Sequence, residues 1–282
     1  MKLSVINSGL FKLDGGAMFG VVPKQMWQRL NPPDDKNLCT WTMRSLLIEK
    51  DDKKILVDTG MGDKQGEKFR SHFEPHGPDS LLNSLAQKGV QAEDITDVFL
   101  THLHFDHCGG AVKKDEVGNL VPTFPNAKYW SNESHYKWAL NPNDREKASF
   151  LKENFVPLKE AGVLNFVEEK QGVELWNGIK ANFVFGHTEA MMPLEISYKN
   201  RKIIYCADLL PSTYHIGMPY VMSYDIRPLE TLKEKGILLE KAVANNDILF
   251  LEHDAHHECC TVKRNDRGRI VLHESFNLED LV

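Results

Sequence analysis

Apolar positions along the chain fall into short runs bounded by turn residues, and they predict strands alternating with helices. "KLSVIN" (2–7), "TMRSLLIEK" (42–50) and "KKILVDTG" (53–60) read as strands, and the Asp51–Asp52 pair between the last two predicts a β-hairpin. "DSLLNSLAQKGV" (79–90) spaces its apolar residues for a helix and puts a glycine where that helix should stop. "ITDVFLTHLH" (95–104) reads as a buried strand. "SNESHYKWAL" (131–140) predicts a helix whose opening Ser and Glu are read as a capping box. "DREKASFLKENFVPLKEAG" (144–162) predicts more helix, interrupted by Pro157. Strands are expected at 180–187, 193–200 and 201–208, the last two as a hairpin turning near Asn200. A helix over 227–245, a buried strand over 247–254 and a hairpin over 261–276 turning at "NDRG" complete the pattern. Strand–helix–strand order suggests an α/β layer. With no Pro/Gly/Ser linker and no repeat beyond a rough strand–helix echo between halves, one domain over 1–282 is expected.

Bulk composition narrows the partners. A chain of 282 residues can bury one large core. A net charge of −6 and a pI of about 6.1 give no case for a nucleic-acid partner. No window approaches the roughly eighteen apolar residues of a membrane span. The opening "MKLSVINSGLFKLDGG" lacks the uninterrupted apolar run of a signal peptide. Cys39, Cys108, Cys206, Cys259 and Cys260 are odd in number and irregular in spacing, which does not suit a disulfide framework. A reduced, cytoplasmic location is the expectation. Cys108, directly after His107, reads as a small soft residue entering a helix rather than as a ligand.

The chemistry concentrates in "THLHFDHCGG" (101–110), where His102, His104, Asp106 and His107 crowd into six positions. Such a cluster can be a solvated polar turn, a set of core histidines bonded to backbone, or a metal site. On an extended chain His102 and His104 point the same way, and a turn into a helix would bring Asp106 and His107 round to the same pocket. Imidazole suits zinc and similar divalent ions, and carboxylate adds a harder donor. Four donors this close are too dense for one tetrahedral ion and suggest two neighbouring ions. Three further runs end on donors: "FVFGH" on His187, "IIYCAD" on Asp208 and "ILFLEH" on His253. A lone histidine after a strand is usually a surface residue, but three such endings beside the cluster favour ligands.

These stretches resemble the metallo-β-lactamase superfamily. "THLHFDH" is similar to its HxHxDH motif, and "GH" (186–187), "AD" (207–208) and "EH" (252–253) are similar to its later ligand motifs in the same order. "ILVDTG" (55–60) resembles the strand whose Asp supports the metal histidines, and the likeness runs from about residue 2 to 275. The resemblance implies a four-layer αββα metallo-β-lactamase sandwich of the α/β class. It implies one ion on His102, His104 and His187, a second on Asp106, His107 and His253, and Asp208 bridging both. Asp58 would orient a ligand histidine through its other nitrogen. Zinc is the default metal, with manganese, cobalt or iron fitting the same donors. His104 stands where flavodiiron relatives carry Glu, which disfavours di-iron oxygen chemistry. The chain departs from the longer "GHTPGH" motif by reading "GHTEAMMP" (186–193), which argues against thioesterases of the glyoxalase II type and persulfide dioxygenases.

Two divalent ions sharing a water lower its pKa and supply a bridging hydroxide nucleophile, so the implied reaction is hydrolysis of an ester-type bond. Asp106 is placed to pass a proton. "DGGAMFGVVPKQMW" (14–27), within an apolar segment over 14–37, can be a glycine-permitted turn between strands. It also closely resembles the N-terminal loop of a subgroup of quorum-quenching N-acyl homoserine lactonases, as do "ADLLP" (207–211) and "VMSYD" (221–225). In that light Met18 and Phe19 would contact a substrate tail, with Phe105, Met191, Met192 and Met222 adding to the wall. His215 is either an exposed loop histidine or a residue near the leaving group. His256 and His257 are read as surface or supporting residues. The expected function is a dinuclear lactonase acting on a small molecule. The alternatives are a phosphotriesterase or arylesterase of the methyl parathion hydrolase type and a non-catalytic metal-binding sensor module. Superfamily nucleases would need basic surface or added domains, and β-lactam hydrolysis suits a cytoplasmic chain poorly. The apolar N-terminal loop is compatible with a homodimer that covers it.

Overall fold

The computed structural model describes residues 1–281. The chain divides into two compact units, Met1–Phe11 with Thr42–Glu169 and Lys12–Trp41 with Lys170–Val282.

A six-stranded sheet has most of its residues in the first unit. Its strands are β1 (Lys2–Asp14), β2 (Leu38–Lys50), β3 (Lys53–Val57), β4 (Asp97–Phe99), β7 (Lys128–Asn132) and β8 (Leu164–Val167), in the order β1-β2-β3-β4-β7-β8. β5 (Val112–Lys114) and β6 (Leu120–Pro122) form a separate ribbon. β2 and β3 make the expected hairpin, paired from Leu46–Val57 to Lys50–Lys53. β3, β4, β7 and β8 run parallel to one another. Leu81 and Leu85 of the helix Leu81–Gln87 pack with Leu56, Val98 and Tyr129. Each such fully buried side chain contributes about 1.5–3 kcal/mol.

The second unit is built on a seven-stranded sheet of β9 (Val173–Trp176), β10 (Ile179–Ala181), β11 (Leu194–Tyr198), β12 (Arg201–Tyr205), β13 (Ile248–Phe250), β14 (Cys259–Arg264) and β15 (Ile270–Phe276). They are ordered β15-β14-β13-β12-β11-β10-β9, antiparallel except for the parallel pair β12 and β13. The hairpin turn after Tyr198 places Lys199 at φ 51. The helix Pro228–Asn245 starts with Pro in its first turn and ends on Asn246 in the left-handed region at φ 55, as helix-end chemistry favours. Its buried stripe is Thr231, Lys235, Leu239 and Ala242. Leu239 and Ala242 pack with Ile204, Leu249 and Cys260.

Several expected elements differ. The strand expected over 95–104 stops at Phe99, and Phe105–Cys108 is a single helical turn. The strand expected over 180–187 stops at Ala181, leaving only an isolated bridge from Val184 to Met191. The helix expected over 131–140 starts at Glu133 and is capped by Asn132, whose side chain accepts from the His135 N–H. Glu133 lies two residues after Ser131, one short of capping-box spacing. The 144–162 segment is not one interrupted helix: it holds a short 3₁₀ turn, Lys152–Asn154, and a helix, Val156–Glu160, with Pro157 in its first turn. Pro157 starts this helix instead of breaking one. The apolar N-terminal segment carries two short helices, Gly15–Phe19 and Lys24–Trp27. All five cysteines are buried. Among the described residues no helix is long and apolar enough to cross a membrane.

Candidate metal centre

In the first unit the donors leave the C-terminal ends of two parallel strands. Val57 of β3 is in register with Phe99 of β4, so Asp58 and the 100–104 segment emerge side by side, and the Asp58 N–H donates to the Phe99 carbonyl at 2.9 Å. Asp58 sits at φ 56, a conformation that costs a non-glycine residue on the order of 1–3 kcal/mol and is often held at functional sites. Its carboxylate accepts from the Thr101 N–H at 2.8 Å and from the Thr101 hydroxyl at 2.7 Å. With its proton given to Asp58, Thr101 Oγ1 can only accept from His102 Nδ1, 3.1 Å away. Nε2 of His102 is therefore left as a lone-pair donor, and it lies 3.1 Å from His104 Nδ1. His107 repeats the logic: its Nδ1 meets Asp58 Oδ2 at 3.2 Å, and its Nε2 faces Asp106 Oδ2 at 3.8 Å. A ligand histidine is commonly oriented by such a carboxylate on its far nitrogen.

The glycines after this cluster have a steric reason. A Cβ on Gly109 would lie 2.0 Å from the Met61 carbonyl oxygen, so the turn Phe105–Cys108 can seat against the 59–62 backbone only with glycine there. Thr59 completes the seat, donating to the His107 carbonyl from both N, at 2.7 Å, and Oγ1, at 2.9 Å.

The second unit repeats the arrangement. Tyr205 of β12 is in register with Phe250 of the parallel β13, and their rings stack at 5.2 Å. Asp208 and His253 each follow three residues later, so both arrive at the same sheet end. Ala207, before Asp208, sits at φ 46. Asp208 Oδ2 lies 3.1 Å from His187 Nε2, and its Oδ1 lies 3.0 Å from His253 Nε2. His187 Nδ1 meets Asp225 Oδ1 at 2.7 Å. Burial raises the pKa of Asp225, and the bond from His187 opposes the rise. The glycine of "GH" is also sterically fixed, since a Cβ on Gly186 would lie 2.2 Å from the Thr231 nitrogen.

The donor chemistry fits divalent metal. His102, His104, Asp106 and His107 are buried in the first unit, and His187, Asp208 and His253 in the second. The ligand atoms of His102 with His104, of Asp106 with His107, and of His187 with Asp208 each lie within 4.8 Å of one another. His107 and His187 each direct Nδ1 at a carboxylate and Nε2 at a neighbouring donor, the pattern that leaves Nε2 for an ion.

Three supporting residues were missed by sequence reasoning. Thr101 and Asp225 orient the candidate ligands His102 and His187, and His135 Nε2 accepts from the Leu103 N–H at 2.8 Å, fixing the loop between His102 and His104. Phe105 packs against Phe69 at 5.2 Å and Phe73 at 4.4 Å. The i, i+4 phenylalanines of "KFRSHF" were the available signal for that aromatic wall.

The structure places the remaining candidates as follows. Met191, Met192 and Met222 are buried, and so are Met18 and Phe19. His256 is exposed. His215 is not an exposed loop histidine; it is 1% exposed and stacks on Phe19 at 5.2 Å with 6° between planes. Its Nε2 donates to the Met18 carbonyl at 2.9 Å, which leaves Nδ1 to accept from Ser212 Oγ at 2.7 Å. Burial pushes its pKa down to about 4, against the opposing pull of the Met18 carbonyl. The unfolded chain protonates it near 6.5 and so binds more protons than the fold between those values. Its stabilisation is therefore complete above about pH 6.5 and is lost as pH falls toward 4, roughly 3 kcal/mol in all. Denaturant unfolding at pH 7 and pH 4.5 should show this loss in the wild type and a smaller one in His215→Gln.

Comparison with known proteins agrees with the geometry. A model of the metallo-beta-lactamase superfamily matches residues 44–253. A probable metallo-hydrolase of Mycobacterium tuberculosis is 25% identical over 201 residues, covering 63% of this chain and 61% of that protein. The chain thus spans less than two thirds of that relative's length. The N-acyl homoserine lactonase AiiA of Bacillus thuringiensis subsp. kurstaki is 23% identical over 242 residues, 81% of this chain and 86% of its own. A probable metal-dependent hydrolase from Staphylococcus aureus superposes with a TM-score of 0.85 at 26% identity, covering 98% of each chain. AidC, a dizinc quorum-quenching lactonase, has the same fold, with a TM-score of 0.79 at 22% identity over 98% of this chain and 95% of that one. By its motifs, its α/β fold and this match, the chain belongs to the metallo-β-lactamase superfamily.

Proposed function

We propose that this protein is a metal-dependent hydrolase that opens the ring of N-acyl homoserine lactones. The observation that carries the reading is Asp208, which offers one carboxylate oxygen to His187 and the other to His253. A carboxylate so divided suits two ions better than one. Following the family's ligand order, one ion would take His102, His104 and His187, and the other Asp106, His107 and His253, with Asp208 shared. Zinc is the first candidate for this imidazole-rich set. When bound, such ions polarise a carbonyl and make a shared water acidic near neutral pH.

The chain's own groups do the rest. Asp58 locks the orientation of His107 and, through Thr101, of His102. Asp106 is the group assigned to carry the proton from the attacking water to the leaving alkoxide. His215 is unsuited to that task, because both ring nitrogens are engaged and the ring stays neutral. It is better read as a positioning residue that holds Met18 and Phe19. Phe105, between His104 and Asp106 in sequence, would place apolar substrate surface beside the donors. The lactonases among the relatives support the substrate class.

A second reading, phosphotriester or aryl-ester hydrolysis, is favoured by one observation: the wall formed by Phe69, Phe73 and Phe105 is aromatic and would suit an aryl leaving group. Initial rates on a long-chain N-acyl homoserine lactone and on a methyl-parathion-type triester, measured with zinc-loaded protein, separate the two. Lactone turnover should exceed triester turnover and fall roughly 10²-fold or more in Asp106→Asn at unchanged metal content. Faster triester turnover would favour the second reading. No turnover of either by protein with two metals bound would reject both.

A further inference from the structure

The first unit contains a cavity of about 580 Å³ to which none of the candidate metal ligands contributes. That volume is within the range of small-molecule sites. Its lining is divided by chemistry. Leu10, Met43, Leu81, Leu82 and Val112 supply apolar surface. Lys64, Arg70, Lys113 and Lys114 supply four cations, against two carboxylates, Asp63 and Asp79; His76 also lines it. Among the described residues none of these four cations has a carboxylate within ion-pair distance.

Two further features set this cavity apart from an ordinary surface hollow. Lys64 is 7% exposed and donates to the Gly109 carbonyl, a neutral partner that does not neutralise its charge. Burial lowers its pKa to about 8, with Cys108, Glu153 and Asp63 opposing and Lys114 adding slightly to the fall. Thr123, also in the lining, is 3% exposed, and its hydroxyl has no hydrogen-bond partner among the described residues. Cations without a carboxylate in ion-pair range and an unsatisfied buried hydroxyl in one lining call for an anion that can accept hydrogen bonds. The apolar share of the lining calls for a hydrocarbon portion on the same molecule.

We propose that this cavity is a second small-molecule site, separate from the metal centre, that binds an amphipathic carboxylate, its head among the four cations and its tail on the leucines and Met43. Part of its wall is shared with the metal-bearing loop: Thr59 and Gly110 line it, and Thr59 holds the His107 carbonyl.

The test is calorimetric titration of full-length, metal-loaded protein with decanoate, alongside decanol and inorganic phosphate. Saturable binding of one decanoate in the cavity is expected, with decanol and phosphate each at least roughly tenfold weaker, since each lacks one of the two recognised features. Lys113 and Lys114 are exposed, so reversing both with Lys113→Glu and Lys114→Glu should spare the fold and weaken decanoate about tenfold. Leu82→Trp, at a half-open position of the lining, should weaken it independently of charge. Decanoate binding that ignores all three substitutions, or that disappears when the metal is stripped, would belong to the metal centre and overturn the proposal. So would the absence of saturable binding.

Discussion

Replacing Asp208 with alanine should reduce hydrolytic turnover by roughly 10³-fold or more and lower the bound metal below the wild-type stoichiometry. Asp208 is 7% exposed and is approached by two imidazole nitrogens, His187 Nε2 at 3.1 Å and His253 Nε2 at 3.0 Å. Alanine leaves those donors facing each other with no anion between them, so an ion held there would lose both a ligand and local charge compensation. Losing Lewis-acid stabilisation worth several kcal/mol corresponds to about three decades in rate. The contrast is Asp225→Asn. It removes the carboxylate behind His187 but no proposed ligand, and it should cost about 10- to 100-fold. Elemental analysis of the purified proteins with parallel initial rates checks both. Full metal content and near-wild-type turnover in Asp208→Ala would remove Asp208 from the centre.

The candidate centre was legible because its donors announce themselves locally. Four of them fall within six residues, and Asp208 and His253 each follow an apolar strand. The pairing of β12 with β13 explains why that signal works: parallel strands in register deliver their following residues to one sheet end. The same mechanism relates Asp58 to His102 through β3 and β4. What was not legible depends on partners remote in sequence. The 144–162 segment has helical composition, but its polar groups are used elsewhere. The Ser149 carbonyl accepts from the Phe105 N–H at 2.9 Å, and the Asn154 side chain accepts from Gln65 at 2.9 Å. Such tertiary bonds outweigh a propensity of tenths of a kcal/mol per residue. The expected strand over 95–104 likewise stops early, because the chain must leave the sheet for His102 and His104 to be presented. Thr101, His135 and Asp225 carried no local mark, since an orienting residue is defined by the ligand it touches. Lys235 carried a mark that was overlooked: a lysine in the helix stripe shared by Thr231, Leu239 and Ala242.

That lysine should prove one of the larger single contributors to stability. Lys235→Met is expected to lower the unfolding free energy by about 3 kcal/mol and Tm by roughly 6–12 °C. Lys235 is 1% exposed, and its ammonium shares three N–H donors among the carbonyls of His215 at 3.0 Å, Gly217 at 3.1 Å, Met218 at 3.2 Å and Tyr220 at 2.8 Å. Burial lowers its pKa to about 8, with Asp225 opposing, so the group is charged at pH 7. Hydrogen bonds from a charged donor are worth about 1.5–3 kcal/mol each, and the three that an ammonium can make would exceed the expected effect. Desolvation of the ammonium offsets much of that sum. Methionine fills the space but leaves irregular backbone from 215 to 220 without its common donor. The damage should spread along a traceable route, because His215 holds the Met18 carbonyl and stacks on Phe19. Amide exchange in Lys235→Met should therefore accelerate in Gly15–Phe19 as well as in 215–220, while β3 and β4 stay protected. An unchanged or higher Tm would mean that water satisfies those carbonyls and that the loop does not depend on Lys235.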